Sequence, residues 1–189
     1  MILEVIVTTA DPQGVVHIAP MGVRERDGAV MLAPFRPSRT LENVLATRAA
    51  VVNRTDDVRV FAGCVTGRRS WPTEPTACGV PGLAGALAHD ELALERIDED
   101  AERPRLFCRV TRSVQHGAFR GFNRAQAAVI EAAILASRLS MLPRERITTE
   151  MRYLAIAIDK TAGPKELEAW GWINAAIDTF YAGEPAANP

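Results

Sequence analysis

Residues 35–53, FRPSRTLENVLATRAAVVN, decide how this chain is read. They form a strand end, a polar turn, a short helix and a second strand that closes on an asparagine. Leu41, Val44 and Leu45 fall at helical spacing and give the helix one apolar face. The turn gathers Arg36, Ser38, Arg39 and Thr40 where the helix begins. Backbone N–H groups at a helix start have no intrahelical partner and carry partial positive charge, so that end favours anions. Two guanidinium groups and two hydroxyls at the same place make a phosphate cradle. The same residues also fit a plainer reading, a capped surface helix with Ser38 as N-cap and the arginines in water.

Strand patterns surround this segment. Residues 2–9 are rich in β-branched side chains and read as a strand. Asp11-Pro12-Gln13-Gly14 is a turn signal in which Gly14 takes positive φ. Residues 15–23 read as a second strand. Arg26-Asp27-Gly28 turns the chain into a third at 29–33, since Asp-Gly between apolar runs is a hairpin signal. Residues 49–53, 58–64 and 106–114 read as further strands. Six or so short strands with one small helix among them predict a closed or nearly closed barrel. Residues 63–85 hold Pro72, Pro75 and Pro81 with five glycines and carry no regular pattern. The acidic run at 98–103 reads as a solvated connection.

After Gly121 the character changes. Residues 123–139 are alanine-rich and apolar on most faces, which predicts a helix covered on nearly all sides. Pro143 ends it. Helices at 149–160 and 164–181 follow, with Pro164 suited to a first helical turn, and GEPAANP reads as a frayed tail. The chain thus divides into a barrel at 1–121 and a helical segment at 122–189, which packs on the barrel or at a dimer interface. The fold class is α+β.

The totals exclude several classes. Lys+Arg of 22 against Asp+Glu of 23 argues against a broad electrostatic surface for nucleic acid or for an anionic membrane. Cys64, Cys78 and Cys108 are widely spaced, with no CxxC or His/Cys ligand pair, so neither a disulfide framework nor a metal site is indicated. The apolar run nearest to a membrane span, 125–136, is too short and holds Gln126 and Glu131. The N-terminus lacks a basic leader and a cleavage site. A reducing, cytoplasmic setting is expected.

Several spaced stretches in order carry a family resemblance: IVTT at 6–9, HIAPMGV at 17–23, FRPSRTLENVLATRAAVVNRTDD at 35–57 and FNRAQAAVIEAAILASR at 122–138. The chain resembles the FMN-binding split-barrel superfamily, which includes flavin reductases and relatives of pyridoxamine-phosphate oxidase. Within it, the chain is most similar to an archaeal and bacterial FMN-binding family known only as a domain of unknown function. The resemblance implies that Ser38, Arg39 and Thr40 hold the FMN phosphate, with Arg36 nearby, and that Asn43 braces the turn or reaches the ribityl chain. Pro20, Met21 and Gly22 would lie along the isoalloxazine edge. Gly22 also suits a bulge in an edge strand. Asn53 would hydrogen-bond flavin through its amide, or simply initiate a turn. Asn123 and Arg124 would approach the phosphate or ribityl end, or cap the alanine-rich helix.

Implied with these roles are a homodimer with the site at its interface and an FMN-dependent oxidoreductase. The alternative is a flavin or deazaflavin carrier without turnover, and pterin-dependent one-carbon metabolism is the family's context. No catalytic side chain is identifiable. His17 is either a proton donor to substrate or a half-exposed strand histidine. His89 and His116 show no partner in the sequence. Trp71 would shield a flavin face, whereas Trp170 and Trp172 pack the terminal helices. Cys64 and Cys78 would be redox-active near a flavin or, more plainly, buried thiols.

Overall fold

A computed structural model describes residues 1–26 and 28–183. The expected turn residue Asp27 and the tail from 184 onward lie outside them. In chain order the elements are β1 (Leu3–Ala10), β2 (Val16–Arg26), β3 (Ala29–Leu32), α1 (Arg39–Thr47), β4 (Ala49–Arg54), α2 (Arg59–Val65), β5 (Thr73–Glu74), β6 (Gly82–Leu83), β7 (Ala88–Asp98), β8 (Arg105–Gln115), α3 (Arg124–Ala136), α4 (Arg144–Thr161) and α5 (Pro164–Ala182). Compactness separates two units, residues 1–56 with 69–119, and 57–68 with 120–189.

The first unit is a closed six-stranded antiparallel barrel in the order β1-β2-β3-β8-β7-β4. Alternation along each strand turns one row of side chains inward. Val5, Val7, Val23, Val30, Leu32, Ala50, Val52, Leu92, Leu94, Leu106 and Cys108 form that interior, and Leu41 and Val44 of α1 join it. Each such side chain contributes roughly 1.5–3 kcal/mol by leaving water. Leu45, expected on the same helix face, is 40% exposed. The Asp11 turn forms as its sequence predicts: the carboxylate accepts the Gln13 and Val15 N–H groups, and Gly14 has φ of +84°.

One strand is too short for its place. β3 has four residues and pairs only with residues 24–26 of β2 and 106–109 of β8. Residues 16–23 of β2 pair with β1 and with no other strand among the described residues. Their other edge has no strand beside it among the described residues. Pro20, which cannot donate to a ladder, sits on this stretch, where a one-sided strand tolerates it.

Two sequence expectations are corrected here. Residues 58–64 do not form a strand: Arg59–Val65 is the helix α2 and belongs to the second unit. Val58, Val60, Phe61 and Ala62 are all buried there. β-branched content speaks for strand only where one face is to be covered, and helical packing overrides it. The sequence did hold the helix signal, since Asp57 accepts the Arg59 N–H at the helix start. The barrel strand that those residues seemed to supply is β7. Residues 63–85 also contain structure, a two-stranded hairpin in which Thr73 pairs with Leu83 and Glu74 with Gly82.

The second unit is helical. Ala125, Ala128, Val129, Ala132 and Ala133 of α3 are buried with Ala62, Ile147, Ile158, Ala169 and Ile173 of the other helices. The small side chains of α3 let its neighbours approach closely. α4 begins at Arg144, directly after Pro143, rather than at 149. Gly163 N–H donates to the Glu166 carboxylate at 2.9 Å, which closes the start of α5 with Pro164 in its first turn. Asp57 ties α2 to α5 through Arg59 and Lys165, and Arg59 also reaches Glu168. Among the described residues, no helix is long and apolar enough to cross a membrane.

Candidate functional site

The start of α1 is the centre of the site. Ser38 has extended backbone and its hydroxyl accepts the Leu41 N–H at 3.3 Å, so it is the N-cap. That leaves the helix with further N–H groups pointing outward. Thr40 is 3% exposed, whereas Arg39 is exposed, and nothing among the described residues pairs with its guanidinium. Arg36 is different: its guanidinium lies 2.9 Å from Glu99. An exposed pair of this kind is weakly held, but Arg36 begins from a compensated state and Arg39 does not.

One residue that the sequence did not place at the helix start lies within electrostatic reach of it. His17, on β2, has its pKa lowered below 6.5 by burial, by Arg39 and by Arg69. His17, near the start of β2, is therefore within electrostatic reach of Arg39 at the helix start, and Arg69 is within reach of His17. The Arg39 guanidinium at a helix N-terminus makes a positive field, and burial together with that field disfavours the protonated His17 imidazole. No motif in the sequence signals Arg69, which lies in the irregular loop and comes within electrostatic reach of His17 only through the fold.

The open edge of β2 leads away from this end. In the β1 register, Pro20 faces Ile6, Met21 faces Val5 and Gly22 faces Glu4. Met21 packs against the barrel interior. The bareness of Gly22 is required by its own neighbours: a Cβ there would meet Ile2 Cγ2 at 2.8 Å and Glu4 Oε1 at 3.2 Å. Residues 20–22 have β1 on one side and no second strand on the other among the described residues, an edge that a ligand can approach.

The two asparagines of the first unit point inward. Asn43 donates to Thr9 Oγ1 at 3.0 Å and fastens α1 to β1. Asn53 is fully buried. Its NH2 group donates to the Ile6 carbonyl and Thr8 Oγ1, and its side-chain oxygen accepts the Leu83 N–H at 2.8 Å. Both sides of its amide are engaged within the protein. Asn123 and Arg124 belong to the second unit. Asn123 caps α3, accepting the Ala125 N–H at 2.7 Å and donating to the Thr161 carbonyl at 3.0 Å, while Arg124 is exposed.

The remaining candidates resolve by burial. Burial pushes the Cys108 thiol up to about 12, so it is an inert core group. Cys78 is half-buried in the hairpin loop beside Thr76. His89 and His116, which show no partner in the sequence, are bonded to each other at 2.8 Å. No cluster of metal-ligating side chains occurs among the described residues.

Comparison with known proteins follows this geometry. No curated protein matches the chain. Among solved structures, an FMN-bound protein of Methanosarcina mazei superposes with a TM-score of 0.80 at 20% identity, over 93% of this chain and 94% of that one. The styrene monooxygenase flavin reductase of Pseudomonas putida aligns at 0.52 and 16% identity, over 60% of this chain and 81% of that one. An FMN-binding protein of Thermus thermophilus aligns at 0.51 and 16% identity, over 60% and 71%. At these identities the likeness establishes the fold. The model for the N-terminal domain of a protein of unknown function, DUF447, matches residues 3–117, and the companion DUF447 model matches residues 123–175. Together they span most of the sequence, and the chain belongs to the DUF447 family.

Proposed function

We propose that this protein binds FMN and is an oxidoreductase acting on a small molecule. The observation that carries the reading is the start of α1, where Arg39 stands without a protein partner among the described residues beside unsatisfied backbone N–H groups, with His17 within electrostatic reach of it. That donor set fits a phosphate dianion. The phosphate is held by backbone N–H groups at 38–40 and by Arg39, with Arg36 released from Glu99 as a second guanidinium. The isoalloxazine edge lies along the unpaired edge of β2 at Pro20, Met21 and Gly22, where backbone groups meet its polar atoms. Asn43 and Asn53 serve by holding α1 and the hairpin in place.

FMN, when bound, carries electrons between a donor and an acceptor, and the protein supplies position and field. Three relatives of the same fold are described as FMN-bound, as FMN-binding and as a flavin reductase, which supports the reading. The homodimer and cytoplasmic setting implied by the resemblance belong to the same proposal. The test is an absorbance spectrum of the protein reconstituted with FMN, followed by anaerobic addition of NADH or NADPH. Bound flavin bands that bleach support an oxidoreductase. Bands that persist with every reductant leave flavin binding without turnover.

A further inference from the structure

Between β3 and α1 the chain crosses residues 33–38, which form neither strand nor helix. Pro34 and Pro37 have no backbone N–H with which to anchor this connection. It nevertheless sets where Ser38 and Arg39 stand, because α1 begins directly after it. Beyond the strand and the helix at its two ends, its course depends on what it is bonded to.

Those bonds come from the turn at 99–104, between β7 and β8. Arg103 Nε and Nη2 both donate to the Ala33 carbonyl, at 3.3 and 3.0 Å. The same guanidinium lies over the Phe35 ring, 4.4 Å from its centre. Arg36 N–H donates to the Glu102 carbonyl at 2.8 Å. The turn is itself braced, since the Asp100 carboxylate accepts the Glu102 and Arg103 N–H groups at 2.9 and 2.8 Å. Arg103 thus holds a main-chain carbonyl and an aromatic face at once, which a planar guanidinium does better than an ammonium.

The two parts of Arg36 are held separately. Its guanidinium pairs with Glu99, and an exposed pair is weakly held. Its backbone N–H is bonded to Glu102 instead. The side chain can therefore leave Glu99 while the backbone stays pinned to the turn.

We propose that Arg103 is a positioning residue for the phosphate cradle: by gripping Ala33 and Phe35 it fixes the connection that places Ser38 and Arg39. The inference rests on the reading of the α1 start as the FMN phosphate site. Arg103 needs no contact with the cofactor for this role.

The test is the ratio of FMN to riboflavin affinity, read by fluorescence quenching in the full-length protein freed of flavin. Riboflavin lacks the phosphate, so a change that loosens the protein as a whole or disturbs the ring lowers both affinities and leaves the ratio. The unmutated protein is expected to prefer FMN. Arg103→Ala should lower that preference roughly three- to tenfold, and Phe35→Leu roughly two- to fivefold. Combined, they should lower it by less than the product of the two effects, since both act on one guanidinium. Phe35→Leu removes no charge, so a fall shared by both variants is not the loss of a distant positive charge. In flavin-free Arg103→Ala, the Arg36 and Leu41 N–H groups should exchange with solvent faster while the β4 amides keep their protection. A preference for FMN that neither variant lowers overturns the proposal, as does a fall in Arg103→Ala alone or unchanged exchange at both N–H groups. Absence of any FMN preference in the unmutated protein instead overturns the phosphate reading of α1, and this inference with it.

Discussion

The Asn53 side-chain oxygen accepts the backbone N–H of Leu83 at 2.8 Å and so helps to fasten the β5–β6 hairpin to the barrel wall. The NH2 group of the same amide holds β1 at the Ile6 carbonyl. Asn53 is thus a clasp between three strands. In Asn53→Ala the Leu83 N–H and the Ile6 carbonyl lose a buried partner, and each such loss costs about 1–3 kcal/mol. The expected result is a fall in unfolding free energy of about 3 kcal/mol, measured by urea titration without cofactor. Loss of hydrogen-exchange protection at Leu83 should accompany it. An unchanged midpoint with weakened FMN binding would instead make Asn53 a flavin contact.

Arg39 and Arg36 should differ in their effects on FMN. Arg39 has no protein partner among the described residues, so its charge is available to phosphate. Arg36 must first leave Glu99. A hydrogen bond to a charged group contributes about 1.5–3 kcal/mol, so Arg39→Ala should weaken FMN roughly 10- to 100-fold and Arg36→Ala by less. Quenching of FMN fluorescence gives both affinities.

His17 should couple FMN binding to protons. Burial and the charges of Arg39 and Arg69 hold its pKa below 6.5. A bound phosphate would oppose the two arginines and raise that pKa. Between the two values the complex binds a proton that the uncomplexed protein does not, so binding takes up protons and strengthens as pH falls through the His17 pKa of the complex. Calorimetry in buffers of different ionisation enthalpy measures the uptake, and His17→Gln should remove it.

Asp57 makes the helical unit acid-sensitive. Burial works to raise its pKa, but hydrogen bonds and charge from Arg59 and Lys165 outweigh it and hold the carboxyl below 3.8. A depressed carboxylate stabilises the folded state above its unfolded pKa, and that contribution disappears as pH falls below 3.8. Asp57→Asn should lower stability at pH 7 by about 1–3 kcal/mol and flatten the loss between pH 4 and pH 2. Unfolding midpoints across that range check it.

How far the sequence reveals this fold depends on what each strand face meets. β1, β2 and β4 are legible because β-branched residues point into a purely apolar interior. β7 is not, because His89, Asp90 and Glu91 are all buried there and interrupt any apolar alternation. Asp90 is neutralised by Arg54 at 2.7 Å, and Glu91 accepts the Ala77 N–H, partners that only the fold supplies. α2 is hidden for the opposite reason, since an all-apolar helix and a buried strand have the same composition. The cap at Ser38 is local and could be read directly. His17 comes within reach of Arg39, and Arg69 within reach of His17, by tertiary structure alone, and the inward turn of Asn43 and Asn53 follows from the register of β1 with its neighbours.

The central claim is that the phosphate of FMN sits at the start of α1. Riboflavin has the same ring system and lacks that phosphate, so the ratio of the two affinities isolates the cradle. The account predicts FMN bound at least 100-fold more tightly than riboflavin, on the scale of two charge-assisted hydrogen bonds, with the ratio falling at least tenfold in Arg39→Ala. Equal affinities for FMN and riboflavin, or a ratio untouched by Arg39→Ala, would contradict it.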